Sequence, residues 1–410
     1  LMEELGAGEV VGGMADVYTK KKEPVRVPFE PEKINSLLGT DISKEDMLEY
    51  LSRVELAYDE ATNEIVAPTF RHDIFRTADI AEEVARFYGY DNIPTTLPSG
   101  EATTGKLPFK LRIEEVARDV AEYCGFSQGY CYSFESPKVF DKLQIPAGDE
   151  LRNAITISNP LGEDFSIMRT ISLNGMLTSL ATNYNRRNKN VRLYELGNVY
   201  LPKALPLTEL PDERMMFTLG MYGDGDFFDM KGVVEEFFDQ IGMHKKTEYD
   251  PKAGKTFLHP GRQALISYEG EVMGYLGEVH PAVADTYGIG TRAYVAVLDI
   301  LNVVKHASFD RKYEGIAKFP AVNRDISMVV PKEIMVGQIE HMIAQRGGKI
   351  LEHFELFDIY EGDQIEKGFK SVAYSLTFRS KEKTLEEAEI NGAMNKILNG
   401  LEGMGIQLRK

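Results

Sequence analysis

Residues 315–410 carry the pattern that most restricts the fold, because their predicted strands and helices follow one recognisable order. Positions 369–379 alternate large apolar residues with small or polar ones, the period of two expected for a strand buried on one face. Further strands are predicted at 325–330, 351–360 and 405–409. Helices are predicted at 336–345 and from a capping-box pattern at 384–387 to about residue 401. The order β-α-β-β-α-β predicts a ferredoxin-like domain.

The middle of the chain, residues 108–305, predicts a larger sheet with helices packed on it. Helices are expected at 110–123 and 228–241. Strands are expected at 192–200, 215–221, 263–268, 271–279 and 293–299. This pattern favours a mixed sheet flanked by helices. A linker rich in Pro, Gly and Thr, residues 98–107, precedes it.

The first part of the chain predicts a small domain of mixed structure. Within residues 23–97, strands are expected at 25–28 and 64–67, and helices at 30–38, 43–53 and 79–88. This alternation suits a winged-helix-like α+β domain. Residues 1–22 offer one short strand candidate at 13–18. The whole chain is therefore predicted to be an α+β protein of several domains.

Charge and cysteine content exclude several classes of protein. The net charge of the 410 residues is −17, which argues against a general nucleic-acid binder. From Gly315 onward there are 13 basic and 14 acidic residues, so the C-terminal part is near neutral and is the better place for an RNA contact. No apolar run is long enough to cross a membrane. Cys124 and Cys131 fit no disulfide framework or zinc motif, which is consistent with a reducing cytoplasm.

Four carboxylates stand at the start of the helix predicted after residue 70. They are Asp73, Asp79, Glu82 and Glu83. The last three are spaced i, i+3, i+4 and share one helix face, and clustered oxygen ligands of this kind suit Mg²⁺. The alternative is a capping box in which Asp79 takes the usual Ser/Thr position and Glu82 follows it, with Arg76 and Arg86 pairing the remaining charges.

The run 71–94, Arg-His-Asp-Ile-Phe-Arg-Thr-Ala-Asp through Asp-Asn-Ile-Pro, resembles a helical segment of the beta subunit of bacterial phenylalanyl-tRNA synthetases. That resemblance implies that Asp73, Asp79, Glu82 and Glu83 bind Mg²⁺ together with the alpha subunit. It also implies that residues 1–22 are the tail of an upstream editing module. The chain then corresponds to a C-terminal portion without that module and without the N-terminal tRNA-binding module.

Two central segments, 159–170 and 191–200, resemble the catalytic-like module of the same family, which has the fold of a class II synthetase core without its activity. Class II catalysis needs an Arg two residues before a Glu on one strand. Arg192 and Glu195 are three apart, so they point to opposite faces of a strand. Arg292, after a Gly-rich turn, precedes a strand pattern where the active enzymes have a helix. No catalytic residue is therefore expected in this chain, and the module is interpreted as a scaffold for assembly.

Four C-terminal segments resemble the ferredoxin-like anticodon-binding domain that ends this subunit. They are 318–327, 357–362, 370–374 and 384–391. RNA-binding modules of this kind combine a sheet surface with aromatic and basic side chains. The candidate tRNA contacts are Arg324, Lys370, Arg379, Phe354 and Tyr360. The alternative for the basic residues is a solvated charge or an ion pair with Asp325 or Glu355.

The resemblance implies an α₂β₂ phenylalanine–tRNA ligase that uses ATP and Mg²⁺ to charge tRNA-Phe, with the chemistry in the alpha subunit. This chain would supply assembly surface, a shared Mg²⁺ site and anticodon binding in the cytoplasm, with no membrane partner. A stand-alone RNA-binding or regulatory protein built from synthetase domains is the alternative, which the net charge of −17 disfavours. An active class II ligase is disfavoured by the Arg192–Glu195 spacing.

Overall fold

The computed structural model describes residues 1–243, 246–313, 315–362 and 364–409, and the chain divides into two units, Leu1–Thr104 and Gly105–Lys410. Within the described ranges, no helix has the length and apolar character needed to span a bilayer. The mixture of helices and several sheets confirms the predicted α+β class.

The first unit is a three-stranded antiparallel sheet, ordered β1-β3-β2, covered by three helices. Its elements are β1 (Val25–Pro28), α1 (Pro31–Leu38), α2 (Lys44–Ser52), β2 (Ala57–Asp59), β3 (Glu64–Ala67) and α3 (Thr77–Tyr88). Ile34, Met47 and Ile80, one from each helix, are fully buried in its core. Ser43 caps α2, because its hydroxyl accepts the Asp46 N–H at 3.1 Å.

The strand predicted at residues 13–18 is wrong. That segment is exposed throughout and pairs with no strand in the described part of the chain. An extended segment without a hydrogen-bonded neighbour or a buried face gains nothing from the β conformation. The short strand β2 was not predicted, since three residues are too few to reveal a period.

The central part of the second unit is built on a seven-stranded sheet, ordered β4-β7-β8-β12-β11-β10-β9. The elements are α4 (Phe109–Tyr123), β4 (Ser127–Gln128), β5 (Phe134–Glu135), α5 (Val139–Lys142), β6 (Ile167–Met168), α6 (Leu173–Asn185), β7 (Val191–Leu201), β8 (Asp212–Tyr222), α7 (Phe227–Gln240), β9 (Thr247–Asp250), β10 (Leu258–Tyr268), β11 (Glu271–Val279), α8 (Pro281–Tyr287), β12 (Ala293–Asp299) and α9 (Ile300–His306). Only the β4–β7 pair among these strands is parallel, so the predicted mixed sheet is confirmed.

Each face of this sheet packs on its own set of helices. Along β12, Tyr294, Ala296 and Leu298 join the core that includes α4, α7 and α9. The alternate residues, Val295 and Val297, join the core that includes α5, α6 and α8. This alternation follows from the period of two, by which successive side chains of a strand point to opposite faces.

The C-terminal part of the second unit has the strand order β14-β15-β13-β16, with every pair antiparallel. Its elements are β13 (Val322–Pro331), α10 (Val336–Gly347), β14 (Leu351–Tyr360), β15 (Phe369–Phe378), α11 (Glu387–Glu402) and β16 (Gln407–Leu408). The chain order β-α-β-β-α-β and this strand order are those of a ferredoxin-like fold, as predicted. Both helices pack on one face of the sheet, where their apolar side chains share one core with those of the strands.

The capping box predicted at 384–387 is wrong by two residues. Helix α11 is capped at Glu386, whose N–H donates to the Glu389 carboxylate at 3.1 Å. Leu385 is the residue just before the cap, and Ile390 is the fourth residue of the helix. Both are buried in the core that the sheet shares with α10 and α11. This pair is a hydrophobic staple, which fixes the start of the helix more firmly than the hydroxyl of Thr384 could.

A buried ion pair lies inside the central sheet module. Arg169 and Glu195 are only 2% and 3% exposed, and Nη1 of the arginine lies 3.0 Å from Oε1 of the glutamate. Arg169 Nε donates to the Asn198 carbonyl at 2.7 Å, and the Cys131 N–H donates to Glu195 at 3.3 Å. Gly197 makes room for the pair, since an ideal Cβ there would lie 2.7 Å from Glu195 Oε1. The pair therefore joins β7 to the segments before β5 and after β6.

Glu195→Leu is expected to lower the free energy of unfolding of this module by about 3–5 kcal/mol, because Arg169 would be left as a buried charge without its partner. The double variant Arg169→Met/Glu195→Leu should be much less destabilised, since it removes both charges. Arg192→Met is the control on the same strand, because Arg192 lies on the opposite face and is partly exposed. Denaturant titration of the three variants is the measurement. Equal losses in the single and double variants would contradict this account of the pair.

Candidate functional site

Asp79 closes the N-terminus of helix α3. Its Oδ2 accepts the backbone N–H groups of Phe75 and Arg76, each at 3.0 Å, and its Oδ1 lies 3.2 Å from Arg76 Nε. Burial acts to raise the pKa of Asp79, but these hydrogen bonds outweigh it and the pKa is lowered. The helix begins at Thr77, so Asp79 is its third residue. The alternative in which Asp79 is the N-cap and Glu82 its partner is therefore wrong, and Arg76 pairs with Asp79 itself and not with one of the remaining charges.

Asp73 and Glu83 are joined by one arginine. Arg71 Nη2 lies 2.6 Å from Asp73 Oδ2 and 2.9 Å from Glu83 Oε1. The hydrogen bonds from Arg71 lower the pKa of Asp73 to about 2. Arg86 pairs with the other oxygen of Glu83 at 2.5 Å, which confirms the predicted role of that arginine. Two guanidinium groups thus occupy both oxygens of the largely buried Glu83.

Glu82 differs from the other three acidic residues. It is exposed, and the described part of the chain offers it no hydrogen-bond or ion-pair partner. Asp73 is also open to solvent, with its side chain 60% exposed. Among the described residues, no three Asp, Glu, His or Cys side chains come close enough together to hold a metal ion. This chain by itself therefore does not form a closed metal site, because arginines and backbone N–H groups take up the oxygens of Asp79 and Glu83.

Arg192 and Glu195 lie on opposite faces of β7, as their spacing predicted. Arg192 donates to the Cys124 carbonyl at 3.2 Å and lies 3.6 Å from Asp224, whereas Glu195 points into the other core and pairs with Arg169. Residues 293–299 after Arg292 form strand β12 and not a helix, which also confirms the prediction. Arg192 and Arg292 are thus not placed around Glu195.

A buried polar group near the ion pair was not predicted. Glu135 is 4% exposed, and its Oε1 accepts a hydrogen bond from Asn174 Nδ2 at 2.9 Å. Asn174 Oδ1 in turn accepts the Tyr287 hydroxyl at 2.7 Å. The second oxygen of Glu135 has no hydrogen-bond partner in the described structure. Burial raises the pKa of Glu135 to about 7. The three residues come from three separate segments of sequence, and nothing in their local patterns links them.

The five candidate tRNA contacts of the C-terminal sheet do not share one face. Phe354 and Arg324 both lie opposite Leu376 in the strand register, and Lys370 lies opposite Val330. Leu376 and Val330 belong to the core, so these three candidates are on the side of the sheet that the helices cover. Phe354 packs on the Tyr374 ring, with centroids 6.3 Å apart. Tyr360 lies opposite Ser371 on the open face. Arg379 directly follows β15.

The ion-pair partners predicted for the basic candidates are wrong. Arg324 pairs with Glu387 at 3.4 Å and Arg379 with Glu352 at 3.1 Å. Asp325 instead accepts a hydrogen bond from Ser375 at 2.7 Å across the open face. Glu355 lies opposite the same serine, so this face of the sheet carries carboxylates and hydroxyls. Carboxylates do not attract a polyanion, although Arg409 approaches this face, with its Nη1 3.5 Å from Ser371 Oγ.

The pKa of Glu135 makes the stability of the central module pH-dependent. A carboxyl group with a folded pKa of about 7 and an unfolded pKa near its usual value binds more protons in the folded state between those values. The free energy of unfolding should therefore fall by about 3 kcal/mol as the pH rises from the unfolded to the folded pKa of Glu135, and it should level off above the folded pKa. Glu135→Gln, which keeps the acceptor for Asn174, should remove this fall.

Denaturant titrations between about pH 5 and pH 8 would measure the effect, with Glu150→Gln as the control at an exposed position. An unchanged pH profile in Glu135→Gln would show that this carboxyl group is not the one responsible.

Three family models match the chain in succession. The tRNA synthetase B5 domain matches residues 27–90, the phenylalanyl tRNA synthetase beta chain CLM domain matches 93–300, and the ferredoxin-fold anticodon binding domain matches 317–409. The second of these covers half of the chain. The B5 match lies within the first unit and the ferredoxin-fold match spans β13 to β16, whereas the CLM match begins at residue 93, before the first unit ends at Thr104.

Proteins described as phenylalanine–tRNA ligase beta subunits align with all or nearly all of this chain. Phenylalanine–tRNA ligase beta subunits of Clostridium acetobutylicum and Clostridium tetani are 45% and 43% identical to it, and the alignments cover 100% of this chain. The beta subunit of Geobacillus kaustophilus is 35% identical over 98% of this chain. The chain spans about half the length of these relatives, 51–52% of each. From the family models and these relatives together, we conclude that the chain belongs to the phenylalanyl-tRNA synthetase beta chain family.

Proposed function

We propose that this chain serves as the non-catalytic part of a phenylalanine–tRNA ligase, in which it assembles with an alpha subunit and binds the anticodon end of tRNA-Phe. The observation that carries the proposal is the succession of the three domain matches in one chain. The complete enzyme would be an α₂β₂ assembly in the cytoplasm that uses ATP and Mg²⁺. Residues 23–97 would form a winged-helix-like domain, and 108–305 a class II synthetase-like module.

Catalysis is assigned to the alpha subunit. Arg192 and Glu195 face opposite sides of β7, and Glu195 is already neutralised by the buried Arg169. A substrate on one face of the sheet could not contact both residues. This arrangement supports a scaffold role for the central module, in keeping with the rule that a fold alone does not imply an activity.

We propose that Asp73, Asp79, Glu82 and Glu83 hold Mg²⁺ together with oxygens from the alpha subunit. The support is the exposure of Asp73 and Glu82 at the edge of helix α3. Glu82 has no partner in the described structure, whereas Arg71 contacts both oxygens of Asp73 and would have to release them. Mg²⁺ usually takes one or two protein carboxylates and keeps several waters, so a partial set on one chain suits a shared site. Arg71 and Arg86 would have to release Glu83 before that residue could bind a cation directly.

Glu82→Gln is the sharpest test of this site, because Glu82 has no partner to lose in the described structure. The variant should raise the Mg²⁺ concentration needed for half-maximal assembly with the alpha subunit by roughly tenfold, since a ligand charge is lost. Glu32→Gln on helix α1 is the matched control, as it is also exposed and on a helix. Size-exclusion profiles across a Mg²⁺ series give the measurement. Equal Mg²⁺ dependence in Glu82→Gln and the control would remove Glu82 from the site.

We propose that the C-terminal sheet binds tRNA through local contacts. Tyr360 on the open face is the candidate for stacking on a base. Phe354, on the helix-covered side of the same strand, would support the strand by packing on Tyr374. Lys370, Arg324 and Arg379 are the candidates for phosphate contacts. The ion pairs of Arg324 and Arg379 are partly solvated and thus weak, so a phosphate could replace the carboxylate partner.

Tyr360→Leu and Lys370→Gln should have different effects on tRNA binding by the full chain. Loss of stacking at Tyr360 should weaken tRNA binding by about 1–3 kcal/mol with little change in salt dependence. Loss of a phosphate contact at Lys370 should lower the salt slope by about one unit and weaken all tRNAs alike. Binding of tRNA-Phe and an anticodon-swapped tRNA would be measured across a salt series.

Lys349→Gln is the control, since Lys349 is exposed in the short turn that follows α10. If both variants bind the two tRNAs as the unmodified chain does, this sheet is not the anticodon site. Binding of both tRNAs without any preference by a chain that does not assemble with an alpha subunit would favour the stand-alone RNA-binding alternative.

A further inference from the structure

The loop between α6 and β7 concentrates positive charge in an acidic chain. Residues 185–190 read Asn-Arg-Arg-Asn-Lys-Asn, with no carboxylate and no apolar side chain. The chain as a whole has a net charge of −17, so this loop stands out from its surroundings. Arg186, Arg187 and Lys189 are all exposed.

Arg292 lies on a neighbouring loop at the same end of the central sheet. Tyr222 at the end of β8 is paired with Val191 on one side and with Ala293 on the other. The starts of β7 and β12 are thus separated by a single strand, which places them about 10 Å apart. We call Arg186, Arg187, Lys189 and Arg292 the basic rim.

Direct contacts hold the loops at this end together. The Tyr222 hydroxyl donates to the Asn188 carbonyl at 2.9 Å. An ideal Cβ on Gly223 would lie 2.6 Å from the Lys189 carbonyl oxygen, and one on Gly290 would lie 2.7 Å from the Tyr184 hydroxyl. The glycines therefore allow the loops after β8 and before β12 to pack closely on the segment that carries the basic rim.

The acidic groups nearby are already engaged. Asp224 lies 3.6 Å from Arg192, and Glu278 pairs with Arg262. Asp226 and Asp229 accept backbone N–H groups at the start of α7. By contrast, none of the four basic-rim side chains has an ion pair or a hydrogen bond within the described ranges.

We infer that the basic rim binds the phosphate backbone of RNA and gives the central module a tRNA contact separate from the anticodon-binding sheet. Guanidinium and ammonium groups donate to phosphate oxygens, and no base needs to be read for this contact. An acidic protein is the other possible partner. A protein interface, however, usually has an apolar centre, and residues 185–190 provide none. The inference rests on the proposed function in one respect, since it takes the RNA to be tRNA.

The test compares three forms of the full chain assembled with the alpha subunit. The first carries Arg186→Gln, Arg187→Gln and Lys189→Gln. The second carries Arg186→Lys and Arg187→Lys, which keep the charge. The control carries Lys142→Gln, Lys203→Gln and Lys252→Gln, which remove three exposed charges elsewhere in the central module. The probes are unmodified transcripts of tRNA-Phe and of an anticodon-swapped tRNA, titrated across a salt series.

The variant with the three basic-rim substitutions, the rim triple, should lower the salt slope of tRNA binding by about two units, because each phosphate contact contributes roughly 0.7–0.9. It should weaken the binding of both transcripts by the same factor. The lysine double variant and the control triple should keep most of the slope. Equal slopes in the rim triple and the unmodified chain would overturn the inference. A rim triple that loses the alpha subunit at an unchanged slope would identify a protein contact and would also overturn it. Absence of tRNA binding by the unmodified assembly would instead contradict the proposed function itself.

Discussion

The central module depends on one buried interaction, the ion pair between Arg169 and Glu195. Two charges taken out of water are stable only when each is paired and hydrogen-bonded, so every segment that supplies a partner is fixed relative to the others. The carbonyl of Asn198 and the N–H of Cys131 complete the set, and Gly197 leaves the space that it needs. The irregular segments around β5 and β6 are thereby attached to the long strand β7. The seven-stranded sheet, on which the helices pack, is thereby fixed relative to these segments.

The two faces of the C-terminal sheet differ, because one belongs to the domain core and the other does not. Ile326, Tyr374 and Leu376 bury one face against α10 and α11 and stabilise the fold. In the described part of the chain, α10 and α11 do not pack on the other face, which carries Asp325, Ser375 and Tyr360. A surface with this composition cannot attract RNA from a distance by charge. The proposed contacts must instead act at short range, by stacking and by single basic side chains near the strand ends.

The sequence predicted regular elements well where their periodicity was strong. Strands β11 and β12 have the predicted bounds, 271–279 and 293–299, and β12 is an apolar run that is buried on both faces. Strand β10 extends beyond its predicted start because His259, Pro260 and Gly261 lack an apolar pattern, and the register there shifts between Leu258 and Gln263. The carboxylates of α3 could be found from their spacing, but their arginine partners could not all be assigned. Glu135 and Arg169 were missed because their partners lie far away in sequence, and a local pattern contains no information about them.

In the proposed assembly, Arg71 would link the acidic residues at helix α3 to the association of the subunits. In the free chain, its guanidinium holds Asp73 and Glu83 where the proposed Mg²⁺ site would need open oxygens. An alpha subunit that drew Arg71 away would raise the affinity of the chain for the cation. By thermodynamic reciprocity, the cation would then raise the affinity for the alpha subunit by the same factor. One arginine would thus make subunit association respond to the concentration of free magnesium, with no change in the fold of either partner.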